Sequence, residues 1–172
     1  MTYGHFILFA SVRNVRGRSR IDTVASAKAS VDAHVKLTAK DDGLDLASRG
    51  FDVADLVIDN GSGLSRDTRL TAAFMTQLLS VAWKEPTMPE FVSSLAIAGR
   101  DGTLRKRFRR GKGRGRMHLK TGSLQNVSSI AGYVHSESGK TFAVTVLING
   151  RNVNYDSGRD IQDAVLNWVV TM

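Results

Sequence analysis

The 172-residue chain contains no cysteine and only two prolines. Without a thiol it can form no disulfide, hold no thiolate-bound metal and use no cysteine nucleophile. That absence fits reducing and oxidising compartments alike. Aromatic residues make up 7% of the chain, and no apolar run approaches the roughly 20 residues a membrane-spanning helix needs. The N-terminal apolar patch from Phe6 to Ala10 has no basic segment before it, so no signal peptide is visible. Acidic residues are nearly missing from one stretch. Between Ile97 and Lys120, ten Lys and Arg residues stand against Asp101 alone, and the rest of the chain sums to −1. One segment therefore makes the protein basic, with a net charge of +8.

With 42% apolar residues the chain can bury a core of its own. Residues 1–50 resist assignment: Arg13, Arg16, Arg18 and Arg20 alternate with small or polar residues, and Ala25 to Lys40 carries only a weak helical period. Val53 to Ile58 reads as a short strand ending in the turn cluster Asp59-Asn60-Gly61-Ser62-Gly63. Thr71 is positioned to cap a helix running to Lys84, with Phe74, Leu78, Leu79 and Ala82 on one face. Pro86 and Pro89 close it, and a second short helix turns Phe91, Val92 and Leu95 inward. Arg105 to Arg116 reads as an exposed loop leading to a strand from Met117. Two further strands, Ser129 to His135 and Thr141 to Ile148, flank Ser136-Glu137-Ser138-Gly139. Asp156 to Val170 is an amphipathic helix with Ile161, Val165, Leu166 and Val169 on its apolar face. Helices, a meander and a terminal helix predict an α+β fold, an antiparallel sheet flanked by helices.

The chemistry concentrates in Lys120-Thr121-Gly122-Ser123-Leu124, a triplet and its flank on the first meander strand. Lys120 offers a cation to a substrate carboxylate, and Thr121 a hydroxyl to the same group. Gly122 lacks a Cβ and lets a substrate backbone approach, as in strand addition. In acyl-transfer sites built around such a triplet, the N–H at the position of Ser123 supplies one oxyanion donor. Three common residues recur by chance, so the surrounding structure decides what the triplet means. The four histidines show no metal-ligand spacing, and no cofactor is expected.

Four segments in order then carry a resemblance: Asp59 to Arg66, Ala98-Gly99-Arg100-Asp101-Gly102-Thr103-Leu104, Lys120 to Leu124, and Ile130-Ala131-Gly132-Tyr133-Val134. Together they resemble the C-terminal part of D-alanyl-D-alanine carboxypeptidases/endopeptidases, the class C low-molecular-mass penicillin-binding proteins, over about Val57 to Val170. The resemblance implies a penicillin-binding transpeptidase/β-lactamase-like fold with a five-stranded antiparallel sheet. It also implies a serine peptidase that works through an acyl-enzyme outside the cytoplasm. Its partners would be peptidoglycan stem peptides and, given a full site, β-lactams. Lys120 is then the catalytic position and Thr121, Gly122 and Ser123 bind substrate, while the Asp59 to Arg66 loop shapes the cleft floor.

The family's Ser-x-x-Lys and Ser-x-Asn are absent: no serine has lysine three positions on or asparagine two positions on. The expectation is a C-terminal portion, residues 51–172, inactive alone, after a possibly non-native segment 1–50 from a misplaced start or shifted frame. Ser62 and Ser65 lack a base at the family's spacing and are not expected to replace the nucleophile. The alternative is a non-catalytic module whose basic loop binds nucleic acid or the cell wall. Phe108 is the one aromatic among those charges, which leaves little for base stacking, so nucleic acid is not expected.

Overall fold

The structure, a computed structural model, describes residues 6–12, 46, 50–54, 56–57, 66–151, 153 and 156–172. Thr71 caps α1 (Ala72–Ala82) as its spacing predicts, its Oγ1 accepting from the Phe74 N–H at 3.0 Å. Phe74, Leu78, Leu79 and Ala82 are all buried, joined by Met75. The helix stops at Ala82, two residues short of Lys84. After the Pro86 turn, α2 (Met88–Ser93) carries Pro89 in its first turn, where a missing N–H has no helical partner to lose. Phe91 and Leu95 go into the core, and Val92 packs at its edge.

The sheet runs in the order β1-β5-β4-β3-β2. β2 (Ala96–Ile97), β3 (Met117–Leu124), β4 (Val127–His135) and β5 (Thr141–Asn149) pair antiparallel in sequence order. β1 (Phe6–Val12) lies parallel to β5, so the fifth strand departs from the fully antiparallel sheet the resemblance implied. β4 begins two residues earlier than the apolar run suggests because Asn126 takes a left-handed φ of 66° and closes a tight link from β3.

Both faces of the meander are covered, which is why β4 and β5 are buried almost end to end rather than alternating. On one face, Ala131, Tyr133, Ala143 and Leu147 pack against α1 and α2. Tyr133 is fixed there by its hydroxyl, which donates to Leu79 O at 2.7 Å, and burial raises its pKa above the ordinary phenol value. On the other face, Met117, Leu119, Ile130, Val144 and Val146 meet Leu166, Val169 and Val170 of α3 (Asp156–Thr171).

The phase of α3 differs from its apolar pattern at one position. Ile161 is 39% exposed, and Gln162 is buried instead. A buried amide is tolerated when hydrogen-bonded at both ends: Nε2 donates to Ser128 Oγ at 2.9 Å, and Oε1 accepts from Arg107 Nη2 at 3.2 Å. The basic stretch is likewise less loose than its composition implies. Leu104 and Phe108 are buried, and Arg107 is ion-paired with Asp163 of α3. From the Val53 to Ile58 run, the described residues show only an isolated bridge between Val57 and Arg69. Ile58, Asp59 to Ser65 with Ser62, Arg13 to Arg20 and the Ala25 to Lys40 pattern lie outside the described residues.

Candidate functional site

β2 pairs only with His118 and Leu119, and just before them Ala98 N–H donates to Met117 O at 3.0 Å. From Lys120 to Leu124 no described strand pairs along that edge, while the opposite edge stays bonded to β4. The Met117 carbonyl points toward β2. Because peptide groups alternate direction along a strand, the N–H and C=O of Thr121 and Ser123 point outward from the same edge. Among the described residues, the sheet therefore has an open margin just where the Lys-Thr-Gly triplet lies.

Side chains alternate across this margin as well. Lys120 faces α1 and α2, where its stem lines a small apolar cavity with Met75, Leu79, Phe91, Leu95, Ala131 and Leu147. Its Nζ donates to Thr121 O at 2.6 Å, at the open edge. No carboxylate pairs with it among the described residues, and burial lowers its pKa from the ordinary 10.5. Among the described residues, an ammonium held between apolar walls has one carbonyl partner and no anion beside it.

Thr121 points to the other face, where its hydroxyl donates to Thr103 Oγ1 at 3.1 Å. Thr103 sits in the 3₁₀ turn Gly102–Leu104 and had no role assigned from sequence, although its segment was among the four recognised motifs. Ser129 was likewise unassigned. It lies across from Gly122 in β4, and its Oγ donates to Gly122 O at 3.2 Å. Thus Lys120, Gly122 and the outward Thr121 and Ser123 peptides share the margin, while the Thr121 hydroxyl is held on the opposite face.

His118 does face the same side as Lys120, with its ring 5.7 Å from His135 and at 85° to it. Its Nδ1 is buried with no hydrogen-bond partner among the described residues. His135 hydrogen-bonds Thr141 Oγ1 at 3.0 Å. Burial, then His118, then Arg116 lower the His135 pKa below the ordinary 6.5. The unfolded chain therefore takes up a proton that the folded chain refuses. Stability should be constant above about pH 6.5 and fall as the pH drops toward the folded pKa. Melting temperatures at pH 7 and pH 5, compared with those of His135→Gln, check this: the wild type should lose more on acidification than the variant. An equal loss would contradict it.

A sheet sheathed by helices on both sides, with an open edge among the described residues beside a half-buried lysine, is a layering shared with solved penicillin-binding protein structures. Penicillin binding protein 4 from Haemophilus influenzae superposes with a TM-score of 0.65 at 24% identity, covering 74% of this chain and 30% of that one. Its structure complexed with a β-lactam gives a TM-score of 0.57 at 28% identity, over 62% of this chain and 25% of that one. A D-alanyl-D-alanine carboxypeptidase of Actinomadura sp. (strain R39) is 36% identical over 112 residues, which is 62% of this chain and 21% of the relative. Residues 19–172 match the D-Ala-D-Ala carboxypeptidase 3 (S13) family, and the chain belongs to it. It spans only 21% and 28% of the length of two curated relatives it matches.

Proposed function

We propose that this chain supplies the substrate-binding margin of a serine-type D-Ala-D-Ala carboxypeptidase/endopeptidase acting on peptidoglycan peptides outside the cytoplasm. The observation that carries the proposal is the β3 edge from Lys120 to Leu124, open among the described residues, beside a lysine that no described carboxylate pairs with. An extended stem peptide adds to that edge as a further strand, bonding the outward Thr121 and Ser123 peptides. Gly122 leaves room for its backbone. The terminal D-alanyl carboxylate takes the Lys120 ammonium, and the Thr121 hydroxyl rotates from Thr103 to the same anion. The Ser123 N–H donates to the oxygen that becomes negative when the scissile carbonyl is attacked.

An acyl-enzyme also needs a serine whose proton is taken by a neighbouring base. With no Ser-x-x-Lys or Ser-x-Asn in its 172 residues, this sequence does not provide that pair. Residues 51–172 then act as the binding half of the site, and the chain on its own performs no turnover. Fluorescent penicillin should leave no covalent band on the purified chain after denaturing electrophoresis. A stable band that survives boiling would mean that another serine here is activated, and would overturn this division of labour. A purely nucleic-acid-binding role finds less support, because Phe108 is buried and offers no face to a base.

A further inference from the structure

Six cations of the basic stretch take no part in the contacts that hold the fold or the margin among the described residues. Arg100, Arg105, Lys106, Arg109, Arg110 and Arg114 are all exposed. None has an ion pair or side-chain hydrogen bond among the described residues. The loop's other cations are engaged: Arg107 with Asp163, Lys112 with Glu137 at 2.8 Å, and Arg116 with Ser136 O. Folding gains nothing from six unpaired like charges and is opposed by their repulsion.

The loop that carries them is held at several points. Leu104 and Phe108 are buried, Phe108 with a left-handed φ of 56°. Gly115 N–H donates to Ala98 O at 2.8 Å, folding the loop back on the 98–102 turn. Two glycines give arginines room to lie against this junction. A Cβ on Gly115 would stand 2.8 Å from Arg100 Nε, and one on Gly99 would stand 3.0 Å from Arg114 Cγ. Arg100 and Arg114 thus belong to one surface although fourteen positions separate them.

We propose that this surface docks a phosphodiester polymer that lacks bases, and so holds the open margin against an anionic matrix. Five of the six cations are arginines, whose planar fork pairs two phosphate oxygens at once. The loop's single aromatic is sealed in the core, so recognition rests on charge and not on stacking. The Gly102–Leu104 turn packs against β2 and β3, which roots the loop beside the Lys-Thr-Gly margin, so a docked polymer lies near the peptide-binding edge.

Fluorescence anisotropy with labelled poly(glycerol phosphate) across 50–500 mM NaCl tests the proposal. A single-stranded oligodeoxynucleotide with the same number of phosphates serves as comparison. Contact with six phosphates predicts a log–log salt slope of about −4. Arg109→Ser/Arg110→Ser should flatten that slope by about 1.4, weaken binding roughly tenfold at 150 mM salt and not lower the melting temperature. Arg100→Ser/Arg114→Ser provides an independent pair with the same expected loss. A slope no steeper than −1, variants that bind like the parent, or tighter binding of the oligodeoxynucleotide than of the base-free polymer would overturn the proposal.

Discussion

Gly132→Ala is expected to destabilise the fold by about 3 kcal/mol or more, combining the strain of a glycine-only backbone conformation with overpacking. Gly132 sits in the middle of β4 opposite Leu119, with φ +147°. A Cβ there would lie 2.1 Å from His118 O and 3.0 Å from the Leu119 Cα. Both atoms are backbone, so no side chain can rotate away, and β3 itself must move. The strand that shifts is the one bearing the Lys-Thr-Gly margin, so its register against β4 should loosen along with stability. Denaturant unfolding would measure the loss, and amide exchange from Met117 to Leu124 would show where it falls. A variant that unfolds within about 0.5 kcal/mol of the parent, the range of a neutral surface change, would mean that β3 and β4 are not apposed as described.

Lys120→Met should do two opposite things: stabilise the fold and remove affinity for a D-alanyl carboxylate. The first follows from the lowered lysine pKa. Folding disfavours the charged form, so the ammonium weakens the folded state at neutral pH, and the deficit disappears as pH rises past the ordinary 10.5. A thioether among Met75, Leu79, Phe91 and Leu95 suits those walls better. The gain should fall in the range of about 0.5–2 kcal/mol common for single stabilising substitutions, and it should shrink on going from pH 7 to pH 10. The second effect is loss of a charge-assisted contact, at least tenfold in peptide affinity. If the variant is instead less stable at pH 7, the lysine serves the fold, and its place at the margin carries no functional weight.

Much of this architecture is written in local pattern. Thr71 followed by apolar spacing gives α1 its start and its buried face, and the β-branched runs after Met117 give the meander. The open margin follows from β2 being two residues long, a strand too short for any alternation in the sequence to mark. What local pattern misses is set by long-range contact. Gln162 displaces Ile161 from the buried face only because Ser128 and Arg107 satisfy its amide from distant segments. Thr103 reaches Thr121 across 18 positions, and nothing around either threonine encodes that meeting. Phe6–Val12 pairs with β5 across more than 130 residues, and an apolar pentapeptide alone says nothing of its partner or direction. The family match reaches back to residue 19, into a stretch whose own periodicity is too weak to place.

The most direct test of the open margin is a titration of ¹⁵N-labelled protein with a peptide ending in D-alanyl-D-alanine, followed by amide chemical shifts. The outward N–H groups of Thr121 and Ser123 should move, those of Gly122 and Leu124 facing β4 should move less, and the L-alanyl-L-alanine isomer should leave them in place. Shifts scattered over α3 or β5, or identical responses to both isomers, would contradict a substrate edge at Lys120 to Leu124.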